Sequence, residues 1–275
     1  MVVSYKPLTD KLFQQFSALV FQHAGIFLKP EKKELLNARI GKRLRQCQIA
    51  SFQEYYDYVL NDKSGEELIH LIDAVSTNFT SFYREKTHFD FLAASVLREF
   101  AARGMPGEFS VWSAACSSGE EPYTLSIVLN EFAVREPKFR FAIHATDIST
   151  KVLAIAQRGV YALDKVQTVP PELLRRYFQR GRGKSEGYVK VKKELSRPIS
   201  FRRFNLMDSY PWRAELDVIF CRNVMIYFNR ETQQQLVDKF YNSLKPGGYL
   251  FIGHSESLTA INHRFNQVTT TGYKK

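Results

Sequence analysis

Three carboxylates set the chemistry that this sequence can perform. Glu120 and Glu121 close the stretch S-V-W-S-A-A-C-S-S-G-E-E-P-Y, Ser110 to Tyr123. It opens as an apolar strand (Phe109, Val111) and runs through small residues to Gly119. After Pro122 it continues at helical spacing with Tyr123, Leu125, Ile127, Val128 and Leu129. Strand, small-residue turn and helix is the order in which an α/β sheet presents a ligand at a strand's carboxyl end. Pro122 suits the first turn of that helix, where its missing N–H costs nothing. A phosphate would be repelled by the two glutamates, so the turn fits a cationic or hydroxyl-bearing ligand. Spacing does not settle which glutamate faces it; Glu120, nearer Gly119, is expected to. Asp147 ends the next strand, in A-T-D-I-S, where an acid accepts hydrogen bonds from ribose hydroxyls. An N-cap of the following helix suits Asp147 or Ser149 equally well.

Further polar groups sit in S-T-N-F-T-S-F-Y-R-E, Ser76 to Glu85. Phe79, Phe82 and Tyr83 alternate with Asn78, Thr80 and Arg84, which suits a joint that packs two units together and lines a cleft between them.

The elements that must position these residues fall into two parts. Residues 8–75 read as helical, with Leu12, Phe16, Leu19 and Val20 in one seam and Leu36, Ile40, Leu44 and Cys47 in the next. Ser51 with Glu54 makes a capping box for a third helix, and Leu68, Leu71, Ile72 and Val75 mark a fourth. After a helix over about 87–102, strands and helices alternate: strand 109–113, strand 139–145, a helix closed by Gly159, strand 199–203, strand 216–220, and a helix over about 230–244. K-P-G-G is expected to stop that helix before a strand at 249–253. The block 161–204 breaks this rhythm. Pro170-Pro171 opens a short helix, 180–187 is a glycine-rich turn, and Tyr188 to Lys192 alternates at period two, as in a small β-ribbon.

Composition bounds the partners. The chain has 275 residues, 44% hydrophobic and 24% charged, ordinary for a globular protein with a sizeable core. No apolar run is long enough to span a membrane, Met1-Val2-Val3-Ser4 opens no signal peptide, and a cytoplasmic protein is expected. Cys47, Cys116 and Cys221 are far apart, so neither a disulfide framework nor a cysteine zinc site is indicated, and no metal is expected. A net charge of +11 leaves nucleic acid, anionic membrane surfaces and acidic proteins open. The cations concentrate on the second helix, where Lys32, Arg39 and Arg43 share a side with Lys42 and Arg45 beside them. Such a face either docks something acidic or is only solvated.

Taken together, W-S-A-A-C-S-S-G-E-E-P-Y, A-T-D-I-S, I-F-C-R-N-V-M-I-Y-F, L-K-P-G-G-Y-L-F-I-G-H-S-E-S and the joint T-N-F-T-S-F-Y-R-E resemble the bacterial chemotaxis receptor protein-glutamate O-methyltransferases, the CheR family. The resemblance implies a class I, Rossmann-like α/β methyltransferase sheet with an inserted β-ribbon at about 161–204. A small all-α domain at 1–76 would precede it, joined through a cofactor-contacting linker at 77–90 to a methyltransferase domain at 91–275. It implies S-adenosyl-L-methionine as cofactor and S-adenosyl-L-homocysteine as product. Asn78, Thr80, Arg84, Glu120, Asp147, Asn205, Leu206, Arg222 and Asn223 are the implied contacts. The implied substrates are glutamates on the cytoplasmic helices of methyl-accepting chemotaxis receptors, converted to γ-methyl esters. A carboxylate is already ionised near pH 7, so no general base is required. Holding it in line with the methyl group is a proximity effect worth up to about 10 kcal/mol. Arg84, Arg222 and Tyr227 are candidates to steer it. Arg39, Lys42, Arg43 and Arg45 would dock the acidic receptor helices. Arg182, Gly183 and Lys184, with Lys190 and Lys192, would suit an acidic peptide at a receptor's C-terminus. Binding to nucleic acid and insertion into a membrane are not expected, and a monomer is. Methyltransferases acting on base amino groups commonly carry Asn/Asp-Pro-Pro-Tyr/Phe where this chain has Arg222-Asn223-Val224-Met225.

Overall fold

The computed structural model describes residues 6–213 and 215–275, so the reading of Met1–Ser4 lies outside the described residues. Four helices form the N-terminal unit: α1 (Asp10–Ala24), α2 (Lys33–Cys47), α3 (Phe52–Asn61) and α4 (Glu66–Val75). Their ends follow local chemistry. The Thr9 hydroxyl accepts from the Leu12 N–H, Gly25 takes up φ 69° after α1, and Ser51 accepts from the Glu54 N–H in the expected capping box. Phe16, Leu36, Ile40, Leu44, Tyr55 and Leu71 bury their apolar faces against one another.

One charged group lies inside this helical unit. Glu67 is buried and receives a bidentate Arg43 guanidinium, with both contacts at 2.6 Å, and the Tyr55 hydroxyl at 2.7 Å. Arg39 donates to the carbonyls of Val75 and Ser76 and to the Thr77 hydroxyl, so it ties α2 to the start of the joint. The expected basic docking face is therefore corrected. Arg39 and Arg43 are structural, while Lys42 and Arg45 remain exposed.

The second unit begins with α5 (Thr87–Phe91), which passes through a π-turn at Leu92–Val96 into α6 (Leu97–Ala102). Then follow β1 (Phe109–Ala114), α7 (Glu120–Arg135), β2 (Phe141–Asp147), α8 (Thr150–Arg158) and β3 (Val160–Ala162). Next come α9 (Pro171–Tyr177), β4 (Phe178–Arg180), β5 (Tyr188–Val191), α10 (Lys193–Ser196) and β6 (Ile199–Arg203). The chain closes with β7 (Leu216–Cys221), α11 (Arg230–Ser243), β8 (Leu244–Ile252), β9 (Asn266–Gln267) and β10 (Gly272–Lys274). The main sheet has the order β6-β2-β1-β7-β8-β10-β9, parallel except around β10. Alternate residues of the central strands feed opposite layers. Trp112, Ile219 and Leu250 pack towards α11, and Val111, Val218 and Phe251 towards α5, α6 and α7. This is the Rossmann-like sheet expected from the sequence, and its strand order reverses between β1 and β7, where such sheets open a ligand crevice.

One local expectation differs, and one glycine has a packing role. K-P-G-G does not precede the last long strand but bulges within β8: Leu216 pairs with Leu244, and the next pair is Val218 with Tyr249. Gly119 does not leave room for a ligand. A Cβ there would lie 2.8 Å from the Tyr161 hydroxyl and 2.9 Å from the Ala156 Cβ, so this glycine lets α7 close onto α8 and the ribbon.

The ribbon is a separate antiparallel sheet, β3-β5-β4. Gly183 and Gly187 are open at positive φ, whereas a Cβ on Gly181 would strike the Ser185 carbonyl. Lys192 donates to the carbonyls of Arg175 and Arg176 at the end of α9, so it is not free for a peptide; Arg182, Lys184 and Lys190 are exposed.

The Glu67 cluster yields a stability prediction. Arg43→Ala leaves a buried carboxylate without its cation and should cost about 3 kcal/mol in urea denaturation. Lys42→Ala and Arg45→Ala should stay within about 0.5 kcal/mol of the parent. Equal effects at all three would show that the Arg43–Glu67 pair does not hold the helical unit.

Candidate active site

The loops after β1, β2 and β7, the joint and the end of α1 enclose a cleft of about 1030 Å³, counting its open mouth. The chain bends sharply around it. Glu85, Ala115, Ser117 and Asn223 hold φ of 55°, 65°, 50° and 57°, a conformation costly for residues with a Cβ and typical of functional sites.

Asp147 lies at the cleft floor, at the carboxyl end of β2, and is 5% exposed. Its oxygens accept the N–H groups of Ser117 (2.8 Å) and Ser149 (2.9 Å). The α8 N-cap itself is Ser149, whose hydroxyl accepts from Val152 N–H. Burial pushes the Asp147 carboxyl up to about 6, against the pull of those two N–H donors. A buried carboxylate with so few donors retains acceptor capacity facing the cleft.

Arg222, at the end of β7, is the hub of the opposite wall. Its guanidinium donates to Glu85 Oε2 (3.0 Å and 3.3 Å), to Glu121 Oε2 (3.1 Å) and to the Arg84 carbonyl. It also lies over the Phe89 ring, 5.4 Å from the centroid. Burial raises the Glu121 carboxyl, opposed mainly by the charge of Arg222. At Glu85 burial acts the same way, but Arg222, Asn223 and the His254 N–H together bring the group below the usual range.

A further carboxylate fixes the neighbouring loop. Buried Glu256 accepts the N–H groups of Gly253 (2.6 Å), Asn223 (2.9 Å), Val224 (2.9 Å) and Met225 (2.7 Å), which clasps the turn after β7 to the turn after β8. Glu85 and Glu256 stand in the strings Y-R-E and H-S-E-S, yet no spacing in the sequence marks their partners.

Comparison with known proteins agrees with this architecture. The CheR methyltransferase, all-alpha domain, matches residues 11–76, and the CheR methyltransferase, SAM binding domain, matches residues 78–274. The chain belongs to the CheR family. The chemotaxis protein methyltransferase of Klebsiella aerogenes is 40% identical over 260 residues, covering 94% of this chain and 87% of that protein. Its counterpart in Escherichia coli K12 is 39% identical over 267 residues, covering 97% and 91%. Chemotaxis protein methyltransferase 2 of Pseudomonas aeruginosa is 39% identical, covering 96% and 93%. This CheR protein is thus an S-adenosylmethionine-dependent methyltransferase of chemotaxis.

Within the CheR cleft the predicted residues take unequal positions. Asn78, Thr80, Arg84, Asp147, Asn205, Leu206, Arg222, Asn223 and Tyr227 all border it. Glu120 does not; Glu121 does. Glu120 turns away to accept from the Ser118 hydroxyl, on the side of Tyr161 and Lys165, because consecutive helical residues diverge by about 100°. Arg222 is corrected as a steering residue, since its donors are committed to Glu85, Glu121 and a carbonyl. Asn205 spends its amide on the His23 carbonyl (2.6 Å) and on the Met207 N–H (3.1 Å). Arg84 bonds the Phe79 carbonyl and Asn223 Oδ1, both at 2.8 Å, and has no carboxylate partner among the described residues. The Tyr227 hydroxyl makes no hydrogen bond among the described residues.

Glu256→Ala removes the acceptor of four backbone donors. It should lower stability by about 2–3 kcal/mol, the cost of orphaning buried N–H groups. Thermal unfolding checks this, and an unchanged midpoint would show that the two turns hold their positions without Glu256.

Proposed function

We propose that this enzyme methylates glutamate side chains on the cytoplasmic helices of chemoreceptors, giving γ-methyl esters. The observation that carries the reading is Arg84, a cation at the cleft without a carboxylate of its own. An incoming glutamate supplies that carboxylate, with the Tyr227 hydroxyl as a second donor. S-adenosylmethionine, when bound, supplies a methyl group on a sulfonium that a carboxylate oxygen can displace in line. The residues fit that cofactor. Asp147 accepts from the ribose hydroxyls, Glu121 offers its charge to an amino group, and Leu206 with Phe204 gives apolar contact for a base. Arg222 keeps Glu121 in place. Cys116, whose thiol burial pushes far up, is unsuited to act as a base, and a carboxylate nucleophile needs none.

Receptor docking falls to Lys42 and Arg45 on α2, with Arg182, Gly183 and Lys184 of the ribbon turn available to an acidic receptor tail. The free edges of β3 and β4 could extend the ribbon by one strand. Tethering of this kind raises effective concentration and leaves the chemical step alone.

Labelled cofactor and receptor-containing membranes should yield label on glutamate as base-labile ester. Label that survives mild alkali, or appears on nucleic acid, would contradict the reading. Lys42→Glu with Arg45→Glu should raise KM for receptor several-fold, more so at low salt. Arg182→Glu with Lys184→Glu should affect only receptors that carry the acidic tail. Unchanged kinetics in either pair would remove that surface.

A pH prediction follows from Asp147. Ribose hydroxyls favour the ionised carboxylate, so affinity for S-adenosylhomocysteine should be full above about pH 6 and fall towards tenfold per pH unit below it. Asp147→Asn should weaken binding and remove most of that slope. Calorimetry from neutrality to about pH 5 tests this; a slope unchanged in the variant would exclude Asp147 from the ligand.

A further inference from the structure

Beside the cleft, on the far side of Glu85 from its wall, two histidines stand next to the carboxylate. His88, on α5, is 3% exposed. Its Nε2 lies 2.5 Å from the Thr271 hydroxyl, while its Nδ1 is buried and has no hydrogen-bond partner. The nearest carboxylate oxygen to Nδ1 is Glu85 Oε2 at 3.7 Å, too far for a hydrogen bond. His254 is exposed at the rim, its ring packed edge-on against His88 with centroids 5.1 Å apart, and its imidazole makes no hydrogen bond among the described residues. One ligand atom from each of Glu85, His88 and His254 lies within 4.8 Å of the others.

We infer that Glu85, His88 and His254 form a binding site for one divalent transition-metal ion of the zinc class. Two imidazoles and a carboxylate are a donor set of the kind that Zn²⁺ and Co²⁺ take, with the remaining position left to water. The spacing suits it. In a tetrahedron with bonds of about 2.0–2.1 Å, ligand atoms stand roughly 3.4 Å apart, close to the 3.7 Å between His88 Nδ1 and Glu85 Oε2. Exposed His254 can swing inward to close the set. His88 also has a partner for the outer bond usual for a ligating histidine: with a metal on Nδ1 the proton sits on Nε2, which then donates to the Thr271 hydroxyl 2.5 Å away and fixes the ring. A metal there satisfies the buried His88 Nδ1, which has no hydrogen-bond partner among the described residues. None of this shows in the sequence, where the three residues come from the joint, α5 and the turn after β8.

The Arg222 guanidinium, on the other face of Glu85, opposes a second cation and weakens the site. For the same reason occupancy acts on the cleft. Glu85 shared with a metal holds Arg222 less firmly, and Arg222 in turn positions Glu121. The metal site is independent of what the cleft holds; only its effect on cofactor affinity rests on the function proposed above.

The test uses the full chain, stripped with a chelator. Titration with Co²⁺ should give visible absorption bands that saturate at one ion per chain and are displaced by Zn²⁺. His254→Ala, at an exposed position, should weaken Co²⁺ binding on the order of tenfold or more, and exposed His70→Ala should not. Calorimetry with S-adenosylhomocysteine should show tight binding to the stripped protein and affinity several-fold lower with Zn²⁺ present, an effect absent in His254→Ala. No saturable Co²⁺ spectrum, or one that His254→Ala leaves unchanged, overturns the site. A Zn²⁺-independent affinity overturns its coupling to the cleft. Failure of S-adenosylhomocysteine to bind the stripped protein would instead count against the reading of the cleft.

Discussion

A single guanidinium, buried between two carboxylates, is the constraint around which the cleft is built. Arg222 leaves the end of β7 with its side chain 3% exposed, and its charge must be answered where it stands. Glu85 arrives from the joint and Glu121 from the first turn of α7, so the hub clamps three segments that are distant in sequence. Water would serve an exposed arginine as well as either carboxylate. Here desolvation makes the pairing obligatory, and the loops must adopt whatever backbone brings the carboxylates in. The positive φ of Glu85 and Asn223 is one consequence.

The same clamp arranges the chemistry. With Arg222 engaged by Glu85 and Glu121, Arg84 remains as a cleft cation without a carboxylate partner among the described residues, and it is held by the Phe79 carbonyl and by Asn223. Asn223 is held in turn by Glu85 and Glu256. For the carboxylate substrate proposed above, nucleophilic without assistance at neutral pH, the task is alignment, which a rigid polar frame suits. Asp147 lies outside this frame. It is held by backbone N–H groups alone, and burial leaves its proton affinity high.

Much of this was legible in the sequence, for identifiable reasons. The small-residue turn, Asp147 and the helical and strand periods are local signals, and the Ser51 capping box spans only four residues. Where a side chain's partner lay far along the chain, reading failed. Arg39 and Arg43 look like a solvated face until Glu67 and the end of α4 pack against them. Arg222 looks free until Glu85, far upstream, is placed beside it. Glu120 and Glu121 are adjacent in sequence, and only the rotation of α7 against β1 decides which enters the cleft. The packing of Gly119 is equally hidden, because its neighbour Tyr161 belongs to the ribbon. K-P-G-G carries a turn signal that the pairing of β8 with β7 absorbs as a bulge.

The central claim is that Arg222 and Glu85 act as one unit that shapes the cleft. A double-mutant cycle with Glu85→Gln and Arg222→Met, read out as affinity for S-adenosylhomocysteine, measures this directly. Each single change should strand a buried charge and weaken binding, while the double variant should recover part of the loss, giving a coupling of about 1–3 kcal/mol. Losses that simply add would show that the two residues act on the cleft independently and would contradict the account.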